Sequence, residues 1–191
     1  MSPELQLIVA PRRAYAALSR MPARVSAVAA CRRPLLAAVV IGASVAITAT
    51  GRATPPLVLS TTLVWSYVVL LQLAIAVPLI APAARRTVGV PRAIDLFFAG
   101  HAPWSLFFLT VAAVMPLPFA WATVVLDALV AVPAILTARI VAAFFREVLA
   151  MDARAAWRWT AVHQATSWAI VIVVNWRASA FTPRILQLWR L

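Results

Sequence analysis

Five apolar runs, separated by short breaks rich in arginine, proline and glycine, leave this chain few ways to fold in water. The runs cover residues 35–50, 57–81, 93–115, 119–145 and 157–176. A helix needs about 20 consecutive apolar residues to cross a bilayer, and each run except the short first one reaches that length unaided. The breaks carry turn chemistry: Gly51-Arg52-Ala53-Thr54-Pro55-Pro56, Arg85-Arg86-Thr87-Val88-Gly89-Val90-Pro91, Met115-Pro116-Leu117-Pro118 and the charged stretch 146–158. Proline and glycine punctuate helices at such points because proline lacks an N–H and glycine takes backbone angles closed to other residues. Composition closes off the soluble alternative. Hydrophobic residues make up 64% of the chain and charged residues 12%, against about 25% charged in soluble domains. The expected fold is therefore all-α, a polytopic transmembrane helical bundle of about five spans with an N-terminal amphipathic interfacial helix. In 191 residues there is no room for a separate soluble domain.

Three parts are expected: a basic amphipathic segment over 1–33 on the cytoplasmic surface, the bundle over 34–176, and a short interfacial tail over 177–191. On a helical projection Tyr15, Leu18, Met21 and Val25 share one face, and Arg12, Arg13, Arg20 and Arg24 share the other. Such a helix lies on an anionic leaflet; the alternative is a disordered basic extension. Pro11 suits its first turn, and Pro22 divides it.

All 17 basic residues are arginine, and the formal net charge is +12. They stand in short segments between apolar runs, which is the pattern of membrane topology and lipid headgroup contact rather than of nucleic-acid binding. Twelve arginines fall on the side of the N-terminus and the second and fourth breaks, and four fall on the other side. The positive-inside rule then places the N-terminus in the cytoplasm and, with an odd number of spans, the C-terminus outside. The expected location is a bacterial cytoplasmic (inner) membrane. Arg32-Arg33 before the first run resemble a signal-peptide n-region, but an unusually long one, so an uncleaved first span is expected. Cys31 is the only cysteine, which excludes an intrachain disulfide, and a buried thiol is expected. Arg24 breaks any lipobox-type approach to it.

Trp121, Trp157, Trp159 and Trp176 fall near predicted helix ends, while Trp65, Trp104 and Trp168 fall inside spans as packing residues or pocket walls. Pro78, Pro103 and Pro133 lie within spans and predict kinks. Small residues at four-residue spacing, Ala38, Gly42 and Ala46 and then Ala134, Ala138 and Ala142, predict close helix–helix contacts.

Polar residues at membrane depth are costly and so are the candidates for function. Gln72, His101, His163 and Gln164 fall within roughly one helical turn of a common depth, given the rise per residue. They form either a polar pocket, proton path or ligand site, or a set of interhelical hydrogen bonds. Asp95, Asp127 and Arg139 are candidate buried charges. Arg139 is expected to snorkel to the headgroups or to pair with Asp95. No paired cysteines and no helical histidine spacing support a metal, and no nucleophile, phosphate-loop or paired-carboxylate pattern supports an enzyme. No cofactor is expected.

The stretch Leu7-Ile8-Val9-Ala10-Pro11-Arg12-Arg13-Ala14-Tyr15-Ala16-Ala17-Leu18, followed by Pro22 and by Arg33-Pro34-Leu35-Leu36, resembles the bacterial members of the Yip (Ypt-interacting protein) family of five-span membrane proteins. The aspartate-leucine-tyrosine-glycine-proline motif of the eukaryotic branch is absent. The resemblance implies a five-span fold and a non-enzymatic membrane role, and it implies no site residues. The leading expectation is thus a non-enzymatic scaffold or accessory subunit in contact with anionic lipids and with another membrane protein or a second copy of itself. The rival is a small transporter or ligand-binding bundle built on the polar layer.

Overall fold

The computed structural model describes residues 3–21, 25–114, 125 and 128–188, and within these ranges the side chains from 5 to 177. Every regular element among the described residues is a helix: α1 (Pro3–Val9), α2 (Pro11–Arg20), α3 (Ala27–Ala30), α4 (Arg32–Thr50), α5 (Pro55–Ala84), α6 (Val90–Ala99), α7 (Ala102–Val114), α8 (Ala131–Glu147) and α9 (Ala153–Leu188).

Two of the predicted breaks fall where turn chemistry puts them. α4 ends on Gly51 at φ +70°, and its N–H bonds the Ile47 carbonyl at 2.7 Å. This is a left-handed C-terminal cap that glycine adopts without steric cost. Pro55 and Pro56 then open α5, where a missing N–H costs nothing. Gly89 at φ +84° and Pro91 do the same between α5 and α6. The charged break follows α8, and Asp152 starts α9 by accepting the Ala155 N–H on Oδ1 at 2.9 Å. That N–H, more than the arginines nearby, holds the carboxyl below its usual range. The third break, with Trp121 and Asp127, lies outside the described residues.

Two segments are long and apolar enough to cross a membrane, Ala27–Thr50 (α3 with α4) and Pro55–Ala84; a third is the pair α6–α7 if it counts as one span bent by 41°. Only 17% of the most apolar window of α5 is buried inside the protein. Leu59, Leu63, Val64 and Leu70 are turned to the surroundings instead, as lipid-facing residues are. α9 is long enough, but His163, Gln164 and Asn175 dilute its apolar character. It continues without a break past residue 177, where a separate tail is expected from the sequence.

The expected kinks resolve differently. α5 runs through Pro78 and Pro82 as one helix. Pro103 sits in the first turn of α7, just after a true break at Gly100–His101. Pro133 sits in the first turn of α8. Cys31, expected to be buried, is exposed at the turn between α3 and α4. Its position follows from the Ser26-capped turn before it, whose hydroxyl accepts the Ala29 N–H at 3.1 Å and turns the chain at the surface.

The first small-residue stripe is used within the chain. Ala38, Gly42 and Ala46 are buried, and α4 packs along α5 and α7. The Thr61 hydroxyl donates to the Gly42 carbonyl at 2.7 Å, and the Ser44 hydroxyl donates to the Phe108 carbonyl at 2.7 Å. A Cβ at Gly42 would meet the Thr62 side-chain oxygen and stand 2.6 Å from Thr62 Cα. Backbone cannot yield there as a flexible side-chain end can. Gly42→Val is therefore expected to force α4 from α5 and to destabilise the protein by about 1–3 kcal/mol, read as a lower melting temperature in detergent. Gly42→Ala should show a smaller loss of the same sign.

Candidate functional site

The break at Gly100–His101 organises the interior. At the end of α6 the Gly100 N–H turns to the Phe97 carbonyl at 3.0 Å, and the His101 N–H turns to the Phe98 carbonyl at 3.1 Å. The Leu96 carbonyl is thereby released, as helix C-terminal carbonyls are. The Tyr15 hydroxyl donates to it at 3.0 Å. Tyr15 is fully buried, with its ring edge-on to Phe144 at 5.7 Å. Gly100 makes this possible, since a Cβ there would stand 2.9 Å from both the Tyr15 hydroxyl and Ile140 Cγ2. The face of α2 expected to rest on lipid thus turns Ala14 and Tyr15 into the bundle, while Arg12, Arg13 and Arg20 stay exposed.

His101 follows at the bend, buried to 5% exposure. Its Nδ1 lies 3.2 Å from the Phe97 carbonyl and donates to it. In a neutral imidazole the other nitrogen, Nε2, is then an acceptor, and it has no partner among the described residues. The ring stacks on Phe98 at 5.2 Å, and the Phe97 ring stands between His101 and His163, at 4.9 and 5.1 Å. His163 is 1% exposed, and among the described residues neither ring nitrogen has a partner; the Ser167 hydroxyl, one helical turn along α9, has none either.

Three of the four predicted polar-layer residues, Gln72 from α5, His101 from the bend and Gln164 from α9, line one cleft of about 130 Å³. Trp65, Trp104 and Trp168 form much of its wall, with the rings of Trp104 and Trp168 5.2 Å apart. The fourth, His163, sits beside the cleft behind Phe97. Near one mouth, Asn175 Nδ2 donates to the Tyr67 hydroxyl at 3.1 Å and ties α9 to α5. A cavity of about 150 Å³ admits benzene, so this cleft fits a molecule of that order and not the larger ligands of common drug-sized pockets. Sequence reasoning left out Ser167 and Ser105, which also line it; their position one turn from Gln164 and His101 was the available signal.

The candidate charges separate. Asp95 pairs with Arg33 at 3.0 Å and with Arg92 at 3.4 Å, and not with Arg139. Arg92 precedes Asp95 by one helical turn, and Arg33 reaches it from the start of α4, so both places at the carboxylate are taken. Arg139 is exposed, in a groove between α1–α2 and α8. Asp127 lies outside the described residues. Among the described residues no group of three or more His, Cys, Asp or Glu side chains is placed to hold a metal ion.

These features define an all-helical protein with apolar helices of membrane-crossing length around an aromatic-walled polar cleft. Comparison with known protein families, with curated proteins and with solved structures gives no match for this chain.

Burial raises the Tyr15 phenol well above its ordinary value, against a smaller opposing pull from Arg33. An unfolded tyrosine ionises near pH 10, whereas the folded one stays neutral. The stability this contributes is complete below about pH 10 and is lost as pH rises beyond it. Tyr15→Phe is expected to lose about 1–2 kcal/mol at neutral pH by orphaning the Leu96 carbonyl. Its melting temperature should also fall less steeply than that of the native chain between pH 10 and pH 12.

Proposed function

We propose that this protein is an integral membrane bundle that binds a small, uncharged, partly polar molecule in the cleft between α5, the α6–α7 bend and α9. One observation carries the reading. Unsatisfied polar atoms, His101 Nε2 on the lining and His163 Nδ1 and Nε2 behind it, meet a cleft walled by three tryptophans. Buried polar groups normally find partners, and a guest with a hydrogen-bond donor would satisfy the unpaired acceptor of His101. The Gln72 and Gln164 amides offer donors and acceptors for a second polar group, and the indoles suit a ring or a compact apolar body. With no acid or arginine among the described lining residues, the site favours a neutral guest over an ion.

The scaffold reading rests on the small-residue stripes, the basic surface helix and the lack of a chemical motif in the sequence. Burial of Ala38, Gly42 and Ala46 against the chain's own α5 and α7 removes that motive for the first stripe. The outward apolar side chains need only lipid.

The test is saturable quenching or shift of tryptophan emission in detergent by benzyl alcohol, indole and imidazole, small probes that combine a ring with a polar group. Gln72→Leu with His101→Leu should weaken binding of the best probe by at least about tenfold, as loss of two hydrogen bonds would. The melting temperature should fall by no more than a few degrees, because the Phe97 carbonyl that loses the His101 Nδ1 donor keeps the Gly100 N–H. No saturable binding of any probe, or binding indifferent to the double substitution, would remove the proposal.

The same reading keeps five spans, as in the family that residues 7–18 resemble, with the arginine-rich end in the cytoplasm and the C-terminus outside. Alkaline phosphatase fused after Leu191 should then be active in cells and green fluorescent protein fused there dark. The reverse pattern would mean an even number of crossings or the opposite orientation.

A further inference from the structure

On the arginine-rich end a second concavity, distinct from the cleft, runs between α1–α2 and α8, with a volume of about 620 Å³. Among the described residues Arg12, Arg13, Arg139 and Arg146 line it, against a single carboxylate, Glu147. Glu147 is already engaged, accepting from Arg12 Nε at 2.8 Å. Arg13, Arg139 and Arg146 have no ion-pair partner among the described residues. Like charges gathered without an anion repel one another, and this groove holds three uncompensated ones. Its floor is apolar and narrow. Ala142 and Ala143 lie between the two α8 arginines and let α2 approach. Arg139 and Arg146 stand two helical turns apart on one face, roughly 10 Å along the axis, close enough for both long side chains to reach one anion between them. The Trp157 ring, half exposed, closes one side. A tryptophan beside arginines and an apolar floor is the combination that suits the headgroup layer of a bilayer.

We propose that this groove holds the phosphate of an anionic phospholipid, with the Arg13, Arg139 and Arg146 guanidiniums on the phosphate and the glycerol and upper acyl chain against Trp157 and the alanine floor. Guanidinium presents paired donors matched to phosphate oxygens. A free phosphate compound shares the headgroup chemistry but has nothing to place on the apolar floor. The proposal rests on membrane insertion and not on what occupies the tryptophan-walled cleft.

The experiment reconstitutes the full chain in phosphatidylcholine vesicles that contain either brominated phosphatidylglycerol or brominated phosphatidylcholine at equal mole fraction. The signal is the emission lost in the native chain minus that lost in Trp157→Phe. Quenching of the remaining tryptophans by brominated phosphatidylcholine reports insertion separately. Phosphatidylglycerol should quench Trp157 at a lower mole fraction than phosphatidylcholine does. Each of Arg139→Gln and Arg146→Gln should weaken that preference by about fivefold, while Arg85→Gln, on the exposed turn after α5, should leave it unchanged. Equal quenching by the two lipids, or an unchanged preference in both groove variants, would overturn the assignment. Loss of the preference on adding inorganic phosphate at constant ionic strength would overturn the lipid as the occupant in favour of a soluble phosphate.

Discussion

A helix broken inside an apolar protein must account for every backbone group it releases, and the break at Gly100–His101 is where this chain meets that demand. Without water, an unpaired carbonyl costs several kcal/mol. The Phe97 carbonyl takes two donors, the Gly100 N–H at 3.0 Å and His101 Nδ1 at 3.2 Å, and the Leu96 carbonyl takes the Tyr15 hydroxyl. Tyr15 comes from the N-terminal segment, 81 residues away in sequence. The break therefore attaches α2 to the bundle. It also fixes the imidazole of His101 in one tautomer and leaves the other nitrogen for the cleft. The phenylalanines around it, Phe97, Phe98, Phe144 and Phe145, pack edge to face and hold the bend on all sides.

Charge is arranged around the same end of the bundle. Each described acidic side chain is engaged by the fold. Asp95 holds Arg33 and Arg92, Glu147 holds Arg12, and Asp152 caps α9. Arg92 also reaches the Leu18 carbonyl at 3.5 Å, at the far end of α2 from the Arg12 contact. So α2 is held at its start by an ion pair, at its middle by Tyr15 and at its end by Arg92. An interfacial helix lying freely on lipid needs none of these ties. The remaining arginines are in excess over every available carboxylate, which leaves anions of the surroundings to neutralise them.

Much of this order was legible in the sequence, and the part that was not has a common cause. The ends of α4 and α5 followed from Gly51, Gly89 and the prolines, because backbone angle and a missing N–H are local properties. Counting residues from the breaks put Gln72, His101 and Gln164 at one depth, because rise per residue is nearly constant in a helix. The same counting put Trp65, Trp104 and Trp168 within the runs as pocket walls or packing residues. What periodicity does not carry is which neighbour a face meets. Tyr15 lies on the apolar side of α2, but only the released Leu96 carbonyl decides that protein rather than lipid covers it. Asp95 and Arg139 were plausible partners by depth alone; Arg92 one turn away and Arg33 across the helix pair reach the carboxylate first. Pro103 signalled a distortion of the third run, and Gly100 with His101 turned that distortion into a complete break.

The cleft gains meaning from the way hydroxyls are treated elsewhere. Thr48, Thr50, Ser60, Ser66 and Thr110 each donate to a carbonyl three or four residues earlier in their own helix. That is how a hydroxyl is made inert in an apolar setting. Ser167 had the same option on α9 and does not take it, and His163, four residues before it, leaves both nitrogens unpaired. Thr62 and Thr137 show that an isolated unpaired hydroxyl occurs elsewhere. The difference is grouping, since His101, His163 and Ser167 account for four of the six unpaired buried atoms among the described residues. Apolar side chains of equal size would fill that space at lower free energy. Three polar residues with unpaired atoms, gathered beside one aromatic-walled cleft, are the observation on which the proposed guest rests.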